Sequence, residues 1–214
     1  MKYYFTLYLK NLIKSTGASL AEFAVVTAMM ATFIGTSAPK YSDLMEYGKE
    51  RKSFNQIDKI LTLATNFYNE TARIEGRGRF PGQDKFDMPV GGYDLIEELN
   101  SELFLFETGN SSQSSKWASV FGINNPKAPA PDGTQFFDDA VETLNCNNCS
   151  ENRFPGHEEW LFLSARDPFV SPYQDGHYIY IVIPGYKISS SIISPKLIVA
   201  DAENPAKLHK ILAL

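Results

Sequence analysis

The chain has 214 residues, 43% of them hydrophobic, 13% aromatic and 21% charged, which is apolar enough to bury a core and excludes a disordered polymer. The length fits one domain, or one domain with an appendage, and excludes a large multidomain enzyme. A formal charge of −5 without any basic run argues against nucleic-acid binding, and two cysteines exclude a disulfide framework or a four-thiolate zinc site.

Lys2, Lys10 and Lys14 are the only charged residues in positions 1–17. Residues 18–38, ASLAEFAVVTAMMATFIGTSA, then carry a single charge, Glu22. As a helix this stretch is roughly 31 Å long, enough to cross the hydrocarbon core of a bilayer. It reads as a membrane span with its amino end cytoplasmic, following the preceding lysines. A secretory signal peptide also begins with charge and an apolar run, but this run is too long and Glu22 interrupts it.

Glu22 is the residue that demands explanation. A carboxylate within an apolar span costs up to about 3 kcal/mol, so it marks a functional site and needs a partner. Cleavage after Gly17 would create an amino group on Ala18, four residues before Glu22 on the same helix face. Within one chain that pairing is awkward. Between two chains offset along an axis it sets the stagger of a helical assembly.

From Tyr41 to about Arg73, Leu44, Tyr47, Phe54, Ile57, Ile60, Leu61, Ala64, Phe67 and Tyr68 recur at helical spacing, a stripe expected to be buried by a sheet. Lys49, Glu50, Arg51, Lys52, Asp58 and Lys59 fall among the solvated positions. Gly35 lowers helix propensity ahead of Pro39, which removes one backbone bond and permits a kink. Residues 74–214 form the head. Asp94 is expected to cap a short helix over residues 95–106 whose Leu95, Leu99 and Leu103 share a face. Residues 109–115, GNSSQSS, read as an exposed loop, and Thr134 as the cap of a second short helix ending near Asn145. Strands are expected at 160–163, 177–183 and 196–200, with Pro184 and Gly185 closing the second. Residues 207–214 fit either a strand or a short helix. The order of elements is α+β, a long helix packed on a C-terminal antiparallel sheet.

Cys146 and Cys149 form a CNNC pair. The helix start and preceding strands that a thioredoxin-like redox pair wants are missing, so a small disulfide pinning a loop is the preferred reading, with reduced thiols or zinc as the alternatives. His157, His177 and His209 fit no compact site with them. Asp138, Asp139 and Glu142, near Asp132 and Gly133, are weak calcium candidates better read as a solvated acidic face, as are Asp84, Asp87 and Asp94. No nucleophile elbow, phosphate-binding loop or HExxH occurs, and neither a cofactor nor catalysis is expected.

The string KSTGASLAEF, with Gly17 before the apolar run and Glu22 as the fifth residue after it, resembles the prepilin motif of type IV pilins and type II secretion pseudopilins. Pro39, 17 residues after Glu22 and followed by Lys40 and Tyr41, resembles the proline that kinks the long pilin helix. The pair Glu22-Phe23 followed by Ala24 is also similar to the pilin-like proteins of tight-adherence systems. The resemblance implies a leader at 1–17, a membrane and assembly helix at 18–38 and its amphipathic continuation at 39–73. It implies cleavage by a membrane peptidase between Gly17 and Ala18, methylation of Ala18, and alignment of subunits by Glu22. It further implies an inner-membrane precursor, partners in a platform protein and an assembly ATPase, and a homopolymeric filament. Where the family has Phe or Met after the cut this chain has Ala18, and Gly35 lies nearer the proline than is usual. A membrane-anchored periplasmic enzyme or redox domain using the CNNC pair is the rival expectation.

Overall fold

The computed structural model describes residues 2–104, 106, 111–136 and 156–214. The chain divides into two compact units, Met1–Gly48 and Lys49–Leu214. The first consists of helix α1 (Lys2–Glu75), whose bounds run on into the second. The helix continues through positions 17, 35 and 39. Lacking an N–H, Pro39 leaves the carbonyl of Gly35 without its usual partner.

In the second unit α1 presents Ser53, Ile57, Ile60, Ala64 and Thr71 as a buried face, with spacings near the helical period. The expected stripe is corrected at its start: Leu44 and Tyr47 are exposed. Apolar periodicity reports which face of a helix is apolar, and nothing about what covers it. The helix stops at Glu75, and Gly76 takes the left-handed conformation (φ 81°) that a helix end favours.

The head is built on a four-stranded antiparallel sheet of order β1 (Ala118–Ser119), β2 (Tyr178–Ile183), β5 (Lys196–Asp201) and β6 (His209–Ala213). Strands β2 and β5 pair over their full lengths, Tyr178 opposite Asp201 and Ile183 opposite Lys196. Side chains alternate across a strand, so one face of β2 carries Tyr178, Tyr180 and Val182 and the other Ile179, Ile181 and Ile183. The first set packs with Leu197 and Val199 against Ile57, Ile60 and Ala64 of α1 and against Phe80 and Trp160. The second packs with Ile198 and Ala200 against Leu99, Leu103, Tyr93, Trp117 and Phe136. Burial on both faces is why the segment reads YIYIVI without a polar alternate. A second, two-stranded sheet, β3 (Tyr186–Ile188) with β4 (Ser191–Ile193), lies between β2 and β5 in sequence. It interrupts the ladder where Pro184 and Pro195 deny it two N–H donors.

The α+β class with a long N-terminal helix and a C-terminal antiparallel sheet is therefore observed. Several elements differ from the sequence reading. Residues 160–163 are the end of helix α4 (Gly156–Leu163), not a strand. Its Trp160 packs edge-on against Tyr180 with centroids 5.4 Å apart, and Glu158 and Glu159 sit in the first turn, where the helix dipole favours them. A four-residue apolar run carries no periodicity that separates the two states. Helix α2 (Ile96–Leu103) begins after Leu95, which has no side-chain cap bond, and Asp94 lies one position too early to cap it. Leu99 and Leu103 are buried while Leu95 is exposed, and the helix stops short of Phe106. Ser111–Ser114 form one turn of helix, α3, inside the expected loop, with Ser114 buried and its hydroxyl accepting from Gln135 N at 3.3 Å. Thr134 Oγ1 donates to Pro131 O at 2.7 Å and residues 134–136 are irregular, while the rest of the helix expected to end near Asn145 lies outside the described residues. The C-terminal segment resolves as strand β6, paired with β5 from Ala213–Lys196 to His209–Ala200.

Ile60 joins helix to sheet at full burial. Ile60→Ala is expected to destabilise the head by about 2–5 kcal/mol, read as a lower denaturation midpoint of the detergent-solubilised chain with an unchanged denaturant slope.

Candidate assembly helix and its anchor in the head

The membrane-compatible stretch lies on Leu20–Glu75, whose best 18-residue window has a mean hydropathy of 1.5 and no buried residue. Leu20, Phe23, Val25, Val26, Met29, Met30, Phe33 and Ile34 are all exposed. Together these exposed side chains form a contiguous apolar patch. One helix near the N-terminus is thus long and apolar enough to span a membrane. Its hydroxyls are already satisfied: Thr27 Oγ1 donates to Phe23 O at 2.9 Å, Thr32 Oγ1 to Met29 O at 2.8 Å and Thr36 Oγ1 to Thr32 O at 3.0 Å. Glu22 is exposed on the same segment. Gly17, Ala18 and Pro39 lie within the helix. A side chain added at Gly35 would meet nothing within 4 Å.

Further along, α1 is fastened by a buried polar cluster. Ser53 Oγ donates to Asp201 Oδ2 at 2.7 Å, and Ser171 Oγ donates to the same oxygen at 2.8 Å. Glu203 N reaches Oδ1 at 3.3 Å, and Tyr178 Oη donates to Gln56 Oε1. Burial raises the Asp201 pKa, and its hydroxyl and backbone donors oppose that rise. Burial likewise raises the Tyr178 phenol. Gly176 is required beside this cluster, because a Cβ there would collide with Ser171 Oγ and Asp201 Oδ1. At the surface Lys207 pairs with Glu50 at 3.0 Å and Lys210 with Asp58, contacts that contribute little when solvated.

His177 lies next to this cluster, 3% exposed, stacked on Phe136 at 5.8 Å and with Nε2 2.8 Å from Ser119 Oγ. Burial lowers its pKa to about 4, against the opposing hydrogen bond to the Pro129 backbone. Ser119 and His177 thus have the spacing of a nucleophile and base, but Ser119 is wholly buried.

Other expected residues are dispersed. His209 Nδ1 bonds Pro205 O at 2.8 Å, while His157 is on α4. Asp84 and Asp87 line one open depression with Glu75, Arg77 and Lys85, so cations offset their charge, and Asp94 and Asp132 are exposed. Among the described residues no three His, Cys, Asp or Glu side chains gather as metal ligands. Cys146, Cys149, Asp138, Asp139 and Glu142 lie outside the described residues. Ser53, Gln56, Ser171 and Asp201 were not singled out by the sequence reading, although a serine at the head of an apolar stripe is the signal that marks Ser53.

Comparison with protein-family models, with curated proteins and with solved structures finds no match.

His177 and Asp201 give the head a pH dependence of two opposed signs. The folded pKa of His177 lies below its unfolded 6.5, so its neutral state stabilises the fold above pH 6.5 and that contribution is lost as pH falls toward about 4, at most about 3 kcal/mol. Asp201 has a folded pKa above its unfolded 3.8, so its charged form costs stability at neutral pH and protonation returns that stability as pH falls toward 3.8. Melting temperatures of the solubilised chain should fall between pH 6.5 and 4. Relative to that profile His177→Gln should flatten the decline and Asp201→Asn should steepen it.

Proposed function

We propose that the chain is a structural subunit of a type IV pilus-like or secretion pseudopilus-like filament. The observation that carries the reading is Glu22: a lone carboxylate on an exposed apolar helix, four residues after Ala18 in the string KSTGASLAEF. The α+β fold supports it, with a long helix that is lipid-compatible at one end and packed on a sheet at the other. In this reading the precursor is a single-pass protein of a bacterial inner membrane, amino end cytoplasmic. A prepilin-type peptidase removes residues 1–17, and Ala18 becomes the methylated amino terminus.

The work of the subunit is mechanical. Apolar side chains that face lipid in the precursor face other helices in the polymer, so extraction exposes no apolar surface to water. The Ala18 amino group of one copy compensates Glu22 of its neighbour, and a misaligned copy leaves that carboxylate uncompensated in an apolar setting. Register follows from that penalty, without catalysis by the subunit. The resemblance further implies a platform protein and an assembly ATPase that drive filament growth.

Mass spectrometry of the mature protein should find Ala18 at the amino terminus. A chain beginning at Met1 would instead mark residues 18–38 as a plain anchor and overturn the filament reading. Glu22→Ala should insert into the membrane and be processed, while filament yield falls by about tenfold or more; wild-type yield from this variant would remove the alignment role.

A further inference from the structure

The β3–β4 hairpin is the part of the head least explained by folding. Its sequence from Tyr186 to Ile193, YKISSSII, holds no acidic residue, in a unit Lys49–Leu214 with 16 Lys and Arg against 22 Asp and Glu, a formal −6. Tyr186, Ile188 and Ile192 are 51%, 55% and 53% exposed. The register pairs Tyr186 with Ile193 and Lys187 with Ile192, so both faces of the ribbon carry apolar side chains, and of these Ile193 is half-buried while Tyr186, Ile188 and Ile192 are exposed. Ser189, at the turn, holds a positive φ of 50°, a conformation unfavourable for a residue other than glycine. A bare two-stranded ribbon is marginal in water, and this one adds exposed apolar surface and a strained turn. Its base is held in place: Gly185 N donates to Phe86 O at 2.8 Å, and Tyr68 Oη to Ser194 Oγ at 3.1 Å.

A complementary surface exists on the same head. Phe67 of α1 with Glu158, Glu159, Phe162 and Arg166, in and just after α4, line an open cavity of about 330 Å³. Phe162 is 78% exposed in it. Glu159 is already committed, accepting from Gly82 N at 2.7 Å and Arg79 Nη1 at 3.0 Å. Glu158 remains as the acid on the rim and Arg166 as the cation.

We infer that the β3–β4 hairpin of one copy docks in the Phe67–Phe162 groove of a second copy, with Lys187 against Glu158. Ile192, on the same ribbon face as Lys187, would cover Phe162, and Arg166 would donate to the carbonyls of the serine turn. The occupant is a second copy because the hairpin offers apolar side chains with one cation, Lys187, and no acid, and the same head carries an apolar groove with one uncommitted acid, Glu158, on its rim. Three half-exposed side chains bury far less than the roughly 1,000 Å² that a stable pair needs, so the contact forms only between copies that their helices already hold side by side. The contact is heterologous, hairpin to groove, and therefore propagates along a polymer. The inference rests on the filament reading and adds to it a site on the head.

Zero-length carbodiimide treatment of wild-type filaments tests it, since the reagent joins an amine to a carboxylate only when they touch. The expected result is a covalent dimer whose peptide map contains the Lys187–Glu158 amide, absent from detergent-dispersed chain and from Lys187→Gln. Ile188→Asp combined with Ile192→Asp, exposed sites that should leave the head's denaturation midpoint unchanged, should lower filament yield about tenfold while cleavage after Gly17 proceeds. Filaments that form normally in this variant and give no such amide in the wild type would overturn the docking and leave the filament reading standing. If mature wild-type chain begins at Ala18 yet never polymerises, both fall.

Discussion

Two-sided burial of the β2–β5 pair is the constraint from which the rest of the head follows. Six consecutive pairs, Tyr178–Asp201 to Ile183–Lys196, put apolar side chains on both faces, and each face needs a cover. The second half of α1 covers one, and α2 with Trp117 and Phe136 covers the other. Because α1 is also a cover, its buried residues from Ser53 onward answer to the sheet, whereas the large apolar side chains from Leu20 to Ile34 are exposed.

Fastening of the helix to the head combines two kinds of interaction. Ile57, Ile60 and Ala64 contribute burial, which is strong but indifferent to small rotations. Ser53, Gln56, Tyr178, Ser171 and Asp201 contribute directed bonds, which are weaker in net energy and fix one rotation. A buried carboxylate is costly, and its donors here come from hydroxyls and backbone, so a shift of α1 would strand it.

What the sequence disclosed depended on how local the determining interaction was. The apolar run around Glu22, the helical stripe, and strands β2 and β5 announce themselves within a few residues, because burial on a known face imposes a period or abolishes it. Helix α4 did not, since Trp160–Leu163 are explained by Tyr180 and Phe80 more than by their own neighbours. The β3–β4 hairpin was missed because three serines broke its alternation. Ser53 and Asp201 lie 148 positions apart, a separation at which no pattern in a single sequence links a serine to a carboxylate.

Pro184 and Pro195 end the ladder on both strands at the point where the hairpin leaves the sheet. Cooperativity of the β2–β5 pair stops there, so substitutions beyond it exert little leverage on the core. A change of side chain at Tyr186, Lys187, Ile188 or Ile192 therefore costs the core little, and the chemistry of the ribbon is set independently of the sheet from which it emerges.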